Sequence, residues 1–129
     1  MTDTIALNDG NSIPRLGLGV WQVDAAETAQ VVGWAIEAGY RSIDTAEGDR
    51  NEEGVGEAIR SASVPRSELY ITSKLRNGAH KRDRALREFD ATMQKLGLEQ
   101  LDLFLIHWPM PKRDDYVEAW KTLIELRDA

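Results

Sequence analysis

Short apolar runs alternate along the chain with segments whose apolar residues recur at helical spacing, which predicts strands each followed by a helix. The predicted strands cover residues 16–21, 40–44, 69–74 and 101–106. The predicted helices begin near Asp24, Asn51, residue 81 and Asp114 or Asp115, and the first and third end at Gly39 and Gly97. Because one strand–helix unit repeats four times, the sequence indicates an α/β domain.

Two of these elements carry specific expectations about burial. Residues 101–106 are apolar apart from Asp102, which is typical of a strand buried on both faces. The last helix carries four apolar side chains that are expected to face inward, namely Val117, Trp120, Leu123 and Ile124.

A short β-hairpin is predicted ahead of the first unit, over residues 4–13. Its apolar segments flank Asn8-Asp9-Gly10-Asn11, in which Asp-Gly is a strong signal for a tight turn. Pro14 is expected to end this ribbon.

Three polar residues mark the carboxyl ends of predicted strands. Repeats of this length join parallel strands through right-handed crossovers, so their strand ends lie on one rim. Asp44, Lys74 and His107 each stand at such an end. A buried Asp44–Lys74 pair would keep the lysine charged and stabilise negative charge on a substrate oxygen, and His107 could hydrogen-bond to a carbonyl. The alternative interpretation is that all three are solvated residues.

Composition narrows the classes of function. With 42% hydrophobic and 29% charged residues among 129, the chain has enough apolar side chains for a core, which argues against intrinsic disorder. A net charge of −6 argues against a nucleic-acid-binding surface. No apolar run approaches the roughly 18 residues of a membrane span, and Met1-Thr2-Asp3-Thr4 lacks the basic start of a signal peptide. The lack of cysteine excludes disulfides and fits a cytoplasmic setting. It also argues against a structural zinc site, so we expect no metal. From the apolar runs we expect no association with a membrane.

Several segments resemble the signatures of the aldo-keto reductases. Residues 39–46 followed by 51–56 resemble the first signature, residues 71–75 match the segment around Lys74, and residues 105–109 match the segment around His107. Residues 17–21 are similar to the family's first strand, so the resemblance runs over nearly the whole chain, and bacterial reductases of the 2,5-diketo-gluconate type are the most similar members. It implies NADPH-dependent reduction of small aldehydes and ketones on a (β/α)8 barrel without a metal.

The resemblance also implies roles for individual residues. The family's catalytic tetrad is Asp, Tyr, Lys and His, and Asp44, Lys74 and His107 match three of its members. Asp44 and Thr45 match positions that contact the cofactor.

Two tryptophans match positions that line the substrate pocket in the family. These are Trp21 and Trp108, for which packing in the core is an equally good interpretation.

Asp49 stands where the tetrad has the tyrosine that delivers the proton. Its carboxyl group ends roughly 3 Å closer to the backbone than a phenolic oxygen, and a misplacement of about 1 Å costs about a hundredfold in rate. Beside Lys74 the pKa of Asp49 is expected to fall below its usual range, leaving no proton to donate near neutral pH. A competing hypothesis, in which a buried Asp49 with a raised pKa shares a proton with Asp44, requires Lys74 to lie elsewhere. We therefore expect carbonyl reduction to be lost or severely reduced.

The implied fold is a (β/α)4 unit over residues 1–129, the N-terminal half of a (β/α)8 TIM barrel preceded by the hairpin. A whole barrel needs about 250 residues. The family places most of its nicotinamide- and phosphate-binding residues in the second half, and Gly17-x-Gly19 lacks the third glycine of a dinucleotide loop. The chain alone is therefore expected to bind NADPH weakly or not at all.

Two other interpretations stay open. A non-catalytic half-barrel with two open strand edges would associate with a second copy or with a complementing C-terminal half. A doubly wound, flavodoxin-like domain would suit the length, but no phosphate loop supports it.

Three remaining groups are interpreted as solvated, with a functional alternative for two of them. Arg76 stands where many relatives carry tryptophan, so the alternative is a more polar pocket. Glu52 and Glu53 suit the first turn of a helix. A basic segment at a helix start could contact an anion and consists of His80, Lys81, Arg82 and Arg84.

Overall fold

A computed structural model describes residues 3–129, so Met1 and Thr2 of the expected N-terminus lie outside the described residues. The strands are β1 Thr4–Ala6, β2 Ser12–Pro14, β3 Leu18–Gly19, β4 Ser42–Asp44, β5 Tyr70–Leu75 and β6 Leu103–Ile106. The helices are α1 Ala25–Glu37, α2 Glu52–Arg60, α3 Arg82–Leu96 and α4 Tyr116–Asp128, with 3-10 turns at Glu47–Asp49 and Arg66–Glu68.

The predicted hairpin is confirmed. β1 and β2 pair antiparallel with Ile5 opposite Ile13, and Gly10 takes the left-handed backbone (φ 87°) that the turn requires. Pro14 ends the ribbon as predicted, because it is the last residue of β2. It lies in β2 opposite Thr4, where an edge strand tolerates the missing N–H.

Four parallel strands form the main sheet in the order β3-β4-β5-β6. Each strand pairs with the next along the chain, and consecutive helices α1 to α4 pack side by side. A doubly wound sheet reverses its strand order at a switch point, which this sheet does not do, so the flavodoxin-like interpretation is wrong. The order is that of half a (β/α)8 barrel.

The core lies between the sheet and the helices. Its larger part joins Ile43 and Ile71 of the central strands to Val32 of α1, Val55 of α2 and Leu96 of α3. A smaller cluster lies under α4 and consists of Leu75, Ala79, Ala85, Ala119 and Leu123. α1 and α2 bury apolar residues at helical spacing, whereas α3 buries Ala85, Thr92 and Leu96.

Helix ends follow their local signals. The Asp24 side chain accepts a hydrogen bond from the Ala26 N–H at 2.9 Å and caps α1. Gly39 and Gly97 follow α1 and α3 with φ of 106° and 68°, as their positions predict.

The fourth unit is less buried than its sequence predicts. Val117 and Trp120 are 52% and 59% exposed, whereas Leu123 is buried as predicted, together with Ala119 and Thr122. β6 is only half-buried, because it is an edge strand paired with β5 alone. The apolar pattern correctly predicts that both elements exist but overestimates how far their side chains are buried. No helix within residues 3–129 is both long and apolar enough to span a membrane.

Candidate active site

An open cleft of about 650 Å³ lies at the carboxyl ends of the four parallel strands. Each strand, or the loop that follows it, contributes side chains to this rim, as expected for parallel βα units. The cleft is bordered by Gly19, Val20, Trp21, Asp44, Gly48, Asp49, Lys74, Arg76, Asn77, His107 and Trp108. The structure thus brings together all the predicted site residues except Thr45.

Asp44 and Lys74 form a hydrogen-bonded ion pair. They project from neighbouring strands, β4 and β5, and the parallel pairing places Asp44 opposite Thr72, two residues before Lys74. The Lys74 Nζ also donates to the Thr45 carbonyl oxygen at 2.9 Å. These two acceptors hold the ammonium group at the edge of the cleft.

Asp49 lies in the 3-10 turn after β4 and faces the same ion pair. Burial raises the pKa of its carboxyl group, while Lys74 and His107 act in the lowering direction and Asp44 adds to the increase. The expectation that Lys74 lowers the pKa of Asp49 overall is therefore wrong, because desolvation outweighs the nearby cations. The increase arises with Lys74 paired to Asp44, so it does not require Lys74 to lie elsewhere.

His107 follows β6 and borders the cleft. The backbone N–H of His107 donates to the Leu75 carbonyl oxygen at 3.1 Å, which fixes the strand end. A methyl group added at Gly48 would lie 3.8 Å from His107 Nδ1, so the 3-10 turn runs against the imidazole. The ring stacks with Trp108 at a centroid distance of 6.4 Å and an interplanar angle of 17°.

The two predicted pocket tryptophans are not core residues. Trp21 and Trp108 are 73% and 60% exposed and border the cleft. Exposed indole rings at an open cleft supply apolar surface for a ligand.

Thr45 is buried beside the cleft rather than facing it. Its hydroxyl donates to Asn51 Oδ1 at 2.8 Å, and the Asn51 amide donates to the carbonyl oxygens of Val20 and Val23 at 2.9 and 3.3 Å. Asn51 occupies the N-cap position of α2 as expected, but its side chain joins two loops instead of capping the helix. Its partners come from distant positions in the chain, so no local sequence signal reveals them.

Glu52 is buried, although its sequence position suggests only a favourable charge in the first turn of α2. It is 2% exposed, and the Ser73 hydroxyl donates to its Oε2 at 2.7 Å. Thr92 donates to Oε1 at 3.4 Å. The signal that could have indicated this partner is Ser73 itself, a polar residue at a buried position of β5.

The interpretation of Arg76 as a solvated residue is incomplete, because its guanidinium group pairs with two carboxyl groups. Its Nε lies 2.8 Å from Glu47 Oε1 and its Nη2 lies 2.7 Å from Glu88 Oε1. Burial, together with the hydrogen bond and charge of Glu88, raises the pKa of Glu47 from its usual 4.5 to about 7.

The basic segment before α3 divides in two. His80 is buried, whereas Lys81 pairs with Asp115 just before α4 and Arg82 pairs with Glu125 of α4. The prediction that the whole segment is solvated is therefore wrong for His80. Among residues 3–129, no group of three or more His, Asp or Glu side chains is placed to hold a metal ion.

Comparison with known proteins gives one consistent family. The family model described as "Aldo/keto reductase family" matches residues 15–129. Methylglyoxal reductase DkgA of Escherichia coli (strain K12) is 55% identical over 124 residues, which are 95% of this chain and 44% of that protein. An aldo-keto reductase of Mycolicibacterium smegmatis is 48% identical and is matched over 46% of its length.

Solved structures agree with these relatives. An aldo/keto reductase from Brucella melitensis superposes with a TM-score of 0.95 at 45% identity, covering 99% of this chain and 50% of that chain. A variant of Gox0644 in complex with NADPH superposes with a TM-score of 0.91 at 43% identity, covering 98% and 45%. The chain thus spans about half the length of the relatives that it matches.

Proposed function

This chain belongs to the aldo/keto reductase family, and from that premise we propose that it supplies the N-terminal half of an NADPH-dependent carbonyl reductase site. The substrates would be small aldehydes or ketones, reduced to alcohols. The observation that carries the proposal is the convergence of Asp44, Lys74, His107 and two exposed tryptophans on one cleft.

Each polar group of the cleft has a proposed part in the reaction. His107 donates a hydrogen bond to the substrate carbonyl oxygen and orients it. The Lys74 ammonium stabilises the negative charge that develops on this oxygen, and Asp44 holds Lys74 in place. The hydride that adds to the carbonyl carbon is supplied by NADPH when it is bound. The oxygen then needs one proton from the protein.

Asp49 is the proposed reason for weak or absent turnover. Because burial raises the pKa of Asp49, its carboxyl group keeps a proton to higher pH than an exposed aspartate would. Its short side chain nevertheless ends roughly 3 Å from where a phenolic oxygen would lie, and a gap of that size removes most of the benefit of a positioned acid. Reach, rather than charge, is therefore the main defect of Asp49 as a donor.

The described residues fit only the reacting end of the cofactor. Asp44 borders the cleft, but the Thr45 hydroxyl is already bonded to Asn51, so one of the two expected contacts is turned away. Gly17 and Gly19 have no third glycine to complete a phosphate loop. Binding of NADPH by this chain alone is therefore proposed to be weak.

Carbonyl-dependent oxidation of NADPH tests the proposal, with methylglyoxal as the carbonyl compound. The chain is assayed alone and with the C-terminal half of the Escherichia coli relative added. We expect no turnover alone and little with the added half, whereas Asp49→Tyr with that half should gain about a hundredfold. Asp49→Asn is the matched control and should gain nothing. Turnover by the chain alone, or no gain from Asp49→Tyr in an assembled pair, would contradict the proposal.

A second candidate function is a self-associating half-barrel. β3 and β6 form the two edges of the main sheet, and Leu105, Val117 and Trp120 are exposed at the β6 side. Open edges and apolar patches promote pairing with another chain. Size-exclusion chromatography with light scattering should show a dimer or larger species that Leu105→Lys weakens, and a monomer at every concentration would exclude this function.

A further inference from the structure

Three charged side chains beside the cleft take no part in the proposed reaction, namely Glu47, Arg76 and Glu88. Arg76, just beyond β5, reaches Glu47 in the 3-10 turn at 2.8 Å and Glu88 in α3 at 2.7 Å. One guanidinium group therefore connects a strand end, the turn that carries Asp49, and a helix.

The charges of the cluster do not balance when both carboxyl groups are ionised. Two carboxylates then face one guanidinium, and Glu47 Oε2 is buried with no hydrogen-bond partner among the described residues. A buried acceptor without a partner is costly. A proton on Glu47 would turn that oxygen into a donor, and the adjacent Glu88 carboxylate is an acceptor.

The opposite shifts of the two acids agree with this arrangement. Burial, and then the hydrogen bond and charge of Glu88, raise the pKa of Glu47 to about 7, while Arg76 acts against the increase. The hydrogen bond from Glu47 lowers the pKa of Glu88. Below about pH 7, Glu47 rather than Glu88 is therefore expected to hold the proton.

We propose that Glu47 and Glu88 share one proton beside Arg76, and that this protonated cluster positions the turn Glu47–Asp49 against His107. Glu47 and Arg76 are thus positioning residues for the same cleft as the proposed reductase site. When the proton is lost, the two carboxylates repel each other and this wall of the cleft loosens.

The charged groups that act on the pair come from two elements. Arg76 approaches from β5, and Arg84 lies on α3 together with Glu88 and lowers the pKa of Glu88 further. Asp49, on the same turn as Glu47, faces Lys74 and His107 instead. Glu47 therefore titrates mainly against Glu88 and Arg76.

Carboxyl ¹³C and amide ¹H–¹⁵N NMR titrations of the full chain test the proposal. Glu47 should titrate near pH 7, and the Gly48 amide should follow the same midpoint. Glu88→Gln removes the neighbouring negative charge and should lower both midpoints together by about 1 pH unit or more. Arg76→Gln removes the opposing cation and should raise both. Asp90→Asn, on the exposed side of α3, is the matched control and should move neither.

Two results would overturn the proposal. One is a Glu47 midpoint in the wild-type chain near its usual 4.5. The other is a Gly48 midpoint that stays fixed in Glu88→Gln while Glu47 moves, since the turn would then not respond to the cluster. Neither measurement requires NADPH or turnover, so failure here and failure of the proposed reductase function are distinguishable.

Discussion

The Asp49 carboxyl group experiences opposing influences within one cleft. Desolvation and Asp44 raise its pKa, whereas Lys74 and His107 lower it, and the net direction is upward. Lys74 is already neutralised by Asp44, so its effect on a third group is reduced.

Replacing Lys74 with methionine should raise the pKa of Asp49 further, because the largest lowering influence is removed. The measurement is a ¹³C titration of the Asp49 carboxyl group in the intact chain. Lys95→Met, on the exposed side of α3, is the control and should leave this pKa unchanged. An unchanged or lowered Asp49 pKa in Lys74→Met would contradict this prediction.

The raised pKa of Glu47 predicts a pH dependence of stability. Between its usual value of 4.5 and about 7, the folded chain holds a proton that the unfolded chain has lost. The free energy of unfolding should therefore fall as pH rises through this window and level off above it. Urea unfolding at several pH values measures the slope. Glu47→Gln should flatten it, Glu57→Gln should not, and an equal slope in both variants would contradict the assignment.

At the scale of elements, the contact between α2 and α3 depends on Gly56. A Cβ atom built at Gly56 would lie 2.4 Å from the Leu96 carbonyl oxygen, which is backbone and cannot rotate away. The two helices can approach this closely only without a side chain at that position.

Gly56→Ala should therefore lower the free energy of unfolding by about 1–3 kcal/mol, the usual cost of overpacking. Gly33→Ala in α1 is the matched control, because its Cβ would meet nothing within 4 Å. That change should raise stability by roughly 0.5–1 kcal/mol through helix propensity and lower unfolded-state entropy. Urea unfolding of both variants measures these changes. An unchanged free energy of unfolding in Gly56→Ala would mean that the helices separate easily.

Elements whose signals are local could be predicted from the sequence. Asp24, Gly39 and Gly97 mark helix ends through their own backbone and side-chain chemistry, and each prediction is confirmed. The exposure of Trp120 could not be predicted, because it depends on which elements lie beside α4 rather than on the pattern within α4.

The candidate site divides in the same way. Strand ends bring Asp44, Lys74 and His107 to one cleft, so their proximity follows from the order of the βα units. The partners of Asn51 and Glu52 lie 21 to 40 residues away for the most part, in contacts that only the packed fold creates.

At the scale of the whole molecule, the described residues border the cleft on one side, at the carboxyl ends of the strands. The relatives are matched over about half their length, and the resemblance to the family implies that most cofactor contacts lie in the other half. The chain therefore offers an open rim rather than an enclosed pocket.

Titration of NADPH fluorescence with the chain alone should show no saturable binding at micromolar concentrations, because an open rim buries little of so large a ligand. Adding the C-terminal half of a relative should create such binding. Trp21→Ala is a useful companion variant, since loss of an exposed indole at the rim should weaken the restored binding without affecting folding. Saturable micromolar binding by the chain alone would contradict this prediction.

The Asn51 amide limits how the rim can be re-engineered. Its NH2 group donates hydrogen bonds to two carbonyl oxygens of the loop after β3, and its oxygen accepts a hydrogen bond from the hydroxyl of Thr45 after β4. A loop transplanted from a relative would have to present carbonyl oxygens at the places of Val20 and Val23, or the amide would lose its partners. An exchange of this loop must therefore replace at least residues 20–23 together with Thr45 and Asn51, even though these residues are far apart in the chain.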